Sequence, residues 1–258
     1  LLARPCKERC EALAKKHGAE QVLILGDLTE QKDKHSAALT NAIVDGFATL
    51  AEVVQVYVLK GNHDYLSEDV PFFRFLHHLK NVRWVNGPAW FNLRGLGNCL
   101  FLPHVQDPKH DWAGIKLEAV WFFCHQTFDG ADVGHGRKLP GVPRSIFPRG
   151  ARVVSGDVHA PQAWYVGAPY RVDFGDDFEP RVLLLSGTNM KSVPVVGPQK
   201  RLVEASISRK QTEGKYFIKY SEKPQNGDIV KVRATLQEGS EASRAAVRIQ
   251  VQEWAADA

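Results

Sequence analysis

Apolar and β-branched residues gather into four short runs along the chain: Gln21–Leu25, Val53–Leu59, Val120–Phe123 and Arg152–Ser155. Runs of this length without polar alternation predict strands buried on both faces of a sheet. Between them the pattern changes period. Pro5–His17 reads as a helix, and His35–Glu52 places Ala38, Ala42, Ile43, Phe47, Leu50 and Ala51 at close to helical spacing. Strand, helix, strand predicts a parallel sheet with helices on its faces, an α/β fold. Phe72–Leu79 is a short helix opened by Pro71. Residues 82–85, 89–93 and 99–102 are short strands separated by Gly and Pro, a meander expected to add a second sheet. Asp107–Glu118 reads as a helix leading into the strand at 119–123, with strand-like stretches at 162–166 and 181–186.

The pattern shifts again at Lys200. Residues 200–208, 215–220 and 228–236 alternate like half-exposed strands. Residues 242–254 read as an amphipathic helix with Ala246, Ile249 and Trp254 inward. The division expected is a large domain over 1–199 and a partial α+β cap over 200–258.

Composition narrows the class without choosing a function. The 258 residues are 44% hydrophobic and 24% charged, ordinary values for a chain with a sizeable core. Net charge is +4, compatible with polyanionic partners and too mild to demonstrate them. No run approaches the roughly 18 apolar residues of a membrane span. Four cysteines, with only Cys6 and Cys10 closely spaced, give no disulfide or zinc framework. Reduced thiols in a cytoplasmic protein is the expectation.

The chemistry sits where the four runs end. Gly26-Asp27, Gly61-Asn62-His63-Asp64, Cys124-His125 and Gly156-Asp157-Val158-His159 each follow one of them. Strand ends are the usual place for a site in an α/β fold. Carboxylate, amide oxygen and imidazole on one rim form a metal-ligand set. Any one of these alone reads more simply: Asp27 as a helix cap, His125 or His159 as a satisfied polar group. The ordered set argues for a site.

That ordered set resembles the calcineurin-like metallophosphoesterases, whose signature runs D-x-H, GD, GNH[DE], H and GHxH. The resemblance spans about residues 20–190 and implies a two-sheet sandwich flanked by helices, with a dinuclear divalent-metal site at one edge. Asp27 would bridge the metals. Asn62, His125 and Asp157 would complete the second metal site, and His159 would serve the first. His63 would face the substrate, with Asp64 setting its tautomer and Glu30 supporting the ligands from behind. Two departures stand out. No D-x-H precedes Gly26: its strand is expected upstream of Leu1, the alternative being a one-metal or inactive relative that has lost it. Asp157 stands where the family has its first His, either as a ligand or as a loop carboxylate orienting His159.

Between Gly134 and Arg152 there are five basic residues and no acidic one. Arg137, Lys138 and Arg144 of this loop are candidates to track phosphate, with a merely solvated loop as the equal alternative. A narrower likeness follows. Asp157-Val158-His159-Ala160-Pro161-Gln162 and the run Tyr165–Asp176 look like the corresponding stretch of SbcD-type DNA nucleases, phage-encoded ones included. It implies a DNA phosphodiesterase, often beside an SMC-like ATPase, with Mn²⁺ the usual metal and Mg²⁺, Fe²⁺ or Zn²⁺ as alternatives. It leaves oligomeric state open, a homodimer included. The other readings are a phosphatase or phosphodiesterase on small molecules or phosphoproteins, and a non-catalytic scaffold.

Overall fold

The computed structural model describes residues 3–133, 136–208, 216–236 and 244–256. It is a mixed α/β fold of two compact units. One unit comprises residues 1–169 and 180–195, the other 170–179 and 196–258.

The first unit is built on two sheets. In the first sheet, strand Gln55–Leu59 lies between Gln21–Ile24 and Val82–Val85, parallel to both. Helix Ala37–Val53 joins the first two strands. Ser36 caps it, its hydroxyl accepting from Leu39 N at 3.2 Å. Phe47, Leu50 and Ala51 of the helix pack on Val56 and Val58 of the central strand, with Phe73 and Leu76. The second sheet has the order Arg152–Ser155, Trp121–Cys124, Gly97–Leu102, Ala89–Leu93. Its first three strands run parallel, and the last closes an antiparallel hairpin. Between the sheets, Tyr57, Leu59, Phe101, Trp121, Phe123 and Val154 form one core cluster. The central strands of both sheets are almost wholly enclosed, as their unbroken apolar runs require.

Four elements differ from the sequence pattern. Val82–Val85 joins the first sheet instead of opening the second, because its register pairs it with Gln55–Leu59. The helix expected over 107–118 spans only Pro108–Asp111 and stops before Gly114, whose φ of 78° favours glycine. Phe72–His78 is a 3₁₀ helix. Residues 162–166 form isolated bridges at Gln162 and Tyr165 rather than a strand.

In the second unit, Lys200–Ser208 is the middle strand, antiparallel to Phe217–Tyr220 and parallel to Ile229–Leu236. Val203, Ala205 and Ile207 point to the buried face. Helix Arg244–Ala256 has Val247 buried, and Trp254 stacks on Tyr220 at 3.8 Å. Ile249, expected inward, is 56% exposed; Val247 is the buried position, with Gln250 and Trp254 half-buried. Residue 215, residues 242 and 243 and the side chain of Ala246 lie outside the described residues, as do Gly134, His135 and the Cys6 side chain.

Candidate metal centre

Three glycines decide how closely the motif ends approach. A Cβ on Gly26 would meet the His125 ring and the Gly61 backbone, one on Gly61 would meet Asp27 and His125, and one on Gly156 would meet the Leu25 carbonyl and His125. Each motif thus carries glycine where its backbone touches the same imidazole. Asp27 and Asp157 have φ of 55° and 79°, two of the three non-glycine residues with positive φ among the described residues. Asp tolerates that conformation better than most side chains, and both carboxylates are turned toward His125.

His125 is 1% exposed. Its Nδ1 lies 2.5 Å from the Leu25 carbonyl oxygen. A carbonyl can only accept, so Nδ1 carries a proton and Nε2 is the atom presented to the site. Around Nε2 stand Asn62 Oδ1 at 2.9 Å, Asp27 Oδ2 at 3.3 Å and Asp157 Oδ1 at 3.9 Å. Turned over, the Asn62 amide would instead donate to His125 Nε2 at 2.9 Å and to Asp27 Oδ2 at 3.0 Å. Burial acts to lower the His125 pKa, but the hydrogen bond and charge of Asp27, with the charge of Asp157, carry it up to about 9. Asp27 is also buried, which alone would raise its pKa; His125 and the backbone N–H of His63 outweigh that and hold it low. This pocket draws positive charge.

Asp64 is fully buried and serves the backbone. Its carboxylate accepts from Asp27 N at 2.9 Å, Leu28 N at 3.0 Å and Gly61 N at 2.7 Å, tying the first two motifs together. Burial and the neighbouring Asp27 charge raise its pKa against those bonds. The tautomer role expected of Asp64 falls to Glu30, and through its backbone. His63 Nδ1 donates to the Glu30 carbonyl at 2.7 Å, leaving Nε2 as the ring nitrogen not engaged by it. No hydrogen bond of the Glu30 carboxylate to the ligand cluster occurs among the described residues. The loop holding that carbonyl is itself anchored: Thr29 Oγ1 bonds Gln31 O at 2.9 Å and His35 Nε2 at 2.6 Å, and His35 packs on Phe72 at 4.1 Å.

Asp27, Asn62, His125 and Asp157 therefore come together. Asp157 accepts from the Thr127 hydroxyl through its other oxygen, and it has no bond to His159. His159 is exposed, and among the described residues nothing joins its ring to the other four. Thr127, absent from the motif reading, was signalled by its position two residues after His125, which puts it on the same face of an extended segment.

A model of the calcineurin-like phosphoesterase family matches residues 6–143. The chain belongs to that family. Among curated proteins, none matches it. The matched stretch contains Asp27, the Asn62–Asp64 motif and His125. Calcineurin-like phosphoesterases hydrolyse phosphoesters with divalent metal ions, and the residues present fit such an ion. Carboxylate oxygens, an amide oxygen and an imidazole Nε2 of fixed tautomer, with no thiolate, are a donor set for a hard or borderline cation.

The basic loop has more structure than its glycines and prolines imply. Lys138–Leu139 pairs antiparallel with Ala131–Asp132. Arg137 and Lys138 are exposed. Arg144 is half-buried, its guanidinium 4.7 Å over the Trp164 ring. No helix of the described residues is long and apolar enough to cross a membrane.

Proposed function

We propose that this metallophosphoesterase is a DNA phosphodiesterase with a dinuclear site, Mn²⁺ being the preferred metal. Asp27, Asn62, His125 and Asp157 would hold metal, with His159 as the candidate for the other half of the pair. Metals bound there would supply a hydroxide at neutral pH and neutralise charge on the phosphoryl oxygens.

The residues of the chain have separate tasks in this reading. The Leu25 carbonyl keeps His125 Nε2 free to ligate. The His63 backbone N–H bonds Asp27 Oδ1 at 2.8 Å and fixes one carboxylate oxygen, while the His63 ring stays outside the ligand set. With Nδ1 committed to Glu30, only Nε2 of His63 is free to meet a substrate, and it can donate only when the ring is protonated. That suits a group protonating a leaving oxygen. The observation that carries the reading is the gathering of Asn62, Asp27 and Asp157 oxygens within 3.9 Å of His125 Nε2, with the His63 ring bonded to the Glu30 carbonyl instead.

The choice of DNA rests on the SbcD-like run after Gly156 and on the exposed cations Arg137 and Lys138. A phosphoesterase acting on small molecules or phosphoproteins would use the same ligands, so the test compares substrates. With Mn²⁺, the chain should cleave linear DNA, and DNA affinity should fall steeply with salt, by a log–log slope near −0.9 per phosphate contact. Arg137→Ala with Lys138→Ala should flatten that slope by about one to two contacts while hydrolysis of bis(4-nitrophenyl) phosphate holds. An unchanged slope, with a small phosphoester as the better substrate, would give the function to the second reading.

A further inference from the structure

Lys60 follows the central strand of the first sheet, immediately before the Gly61-Asn62-His63-Asp64 motif, and is only 2% exposed. A lysine so enclosed normally has a carboxylate partner, since an unpaired charge is costly to remove from water. Here the ammonium makes no hydrogen bond or ion pair among the described residues, yet it is not one of the sealed polar atoms. Its stem is covered, and the side chain keeps only a small contact with solvent. Nζ stands 4.5 Å from the centre of the Tyr65 ring, and Lys32 Nζ stands 5.8 Å from the same ring.

The acids near enough to act on Lys60 are Glu68, Asp111 and Asp64, and each is engaged elsewhere. Glu68 accepts from the Tyr65 hydroxyl at 3.3 Å. Asp111 pairs with His110 at 2.9 Å. Asp64 is taken up by three backbone N–H groups.

This cationic spot is connected to the metal centre. The backbone of Lys60 accepts from His104 N at 2.9 Å. The Tyr65 hydroxyl lies 2.8 Å from His104 Nδ1, and the His104 ring is 6.2 Å from that of His125. Two cations within 6 Å of the centre of one tyrosine ring, next to a phosphoesterase site and in no ion pair among the described residues, are suited to an anion.

We propose that Lys60 and Lys32, arranged about Tyr65, form a subsite for a second phosphate of the substrate, next to the one hydrolysed. The assignment rests on the phosphodiesterase reading above and sharpens it. The substrate class is a nucleotide strand carrying a phosphate adjacent to the scissile one, rather than an isolated phosphoester.

The test is calorimetric, on the full chain with saturating Mn²⁺. The probes are thymidine 3′,5′-bisphosphate and the two thymidine monophosphates. The bisphosphate should bind roughly tenfold or more tighter than either monophosphate, the usual worth of a charge-assisted contact. Lys60→Met, which keeps the apolar stem, should bring that ratio close to one, and Lys60→Arg should retain most of it. Lys32→Ala, at an exposed position, should reduce the ratio in part, and it decides the matter if Lys60→Met does not fold by circular dichroism. Retention of the full ratio in both variants overturns the subsite. A wild-type protein that binds the monophosphates but gains nothing from the second phosphate also overturns it, and leaves the phosphodiesterase reading standing. A protein that binds none of the three while hydrolysing bis(4-nitrophenyl) phosphate refutes the nucleotide reading itself.

Discussion

Two buried clusters of carboxylate in this chain use the same donors to opposite ends. In the second unit, Asp228 accepts from Gln199 N at 2.6 Å, from Gln225 N at 2.8 Å and from the Arg201 guanidinium. Its side chain is wholly enclosed, and the arginine supplies the cation. In the first unit, Asp64 is satisfied by backbone in a similar way. Asp27, Asn62 and Asp157, however, face His125 with no lysine or arginine among the described ion pairs of that cluster. A carboxylate cluster closed by its own arginine holds a fold together. One left rich in acceptors around a single imidazole is arranged for a cation from outside.

The largest effect that should sharpen this contrast is at His63. Alanine keeps the backbone N–H that bonds Asp27, so metal affinity should be nearly unchanged. Turnover should fall by roughly 10²–10⁴-fold. Loss of metal in His63→Ala, measured by calorimetric titration, would move His63 into the ligand set. Next is Arg201→Met, which strands Asp228 without its cation. It should destabilise the second unit by about 3 kcal/mol, seen in chemical denaturation, and leave Mn²⁺ affinity alone. A variant as stable as the parent would show that Arg201 is not what closes that cluster.

Gly61→Ala should have a smaller effect, about 1–3 kcal/mol of overpacking against Asp27 and His125, and should weaken metal binding with it. Gly87→Ala, with nothing near the added carbon, is the control, and equal effects in the two would deny that the glycines set the approach of the motifs. The smallest effect is with acid. Burial of Asp228 raises its pKa, but the backbone donors and Arg201 prevail and hold it below the ordinary carboxylate value. A depressed group contributes stability above its unfolded-chain value, near 4, and loses it as pH falls through the folded value. In Asp228→Asn, the denaturation midpoint of the second unit should therefore depend less on pH below about 4. An acid limb identical to that of the parent would count against this role.

The fold was legible as far as period and punctuation carry. The four apolar runs became the strands that deliver the motif residues, and Ala37–Val53 formed the helix its spacing predicts. Partnership between strands was not legible. Val82–Val85 has the composition of any short strand, and only three-dimensional register assigns it to the first sheet. Ile249 shows the limit for a weakly amphipathic helix, where two stripes compete and packing selects one. At the site, residue type located Asp27, Asn62, His125 and Asp157. It could not reveal that Glu30 acts through its carbonyl, since every residue has one. Nor could charge alone distinguish Arg144, held over Trp164, from exposed Arg137 and Lys138.

The claim on which the rest depends is that Asp27, Asn62, His125 and Asp157 hold a divalent metal. Anomalous diffraction from crystals soaked in Mn²⁺ tests it directly. The account predicts a peak within bonding distance of His125 Nε2, of an Asp27 carboxylate oxygen and of the Asn62 amide oxygen, and its loss in Asp27→Asn. A peak bound elsewhere on the protein, or an empty cluster at saturating Mn²⁺, would contradict it.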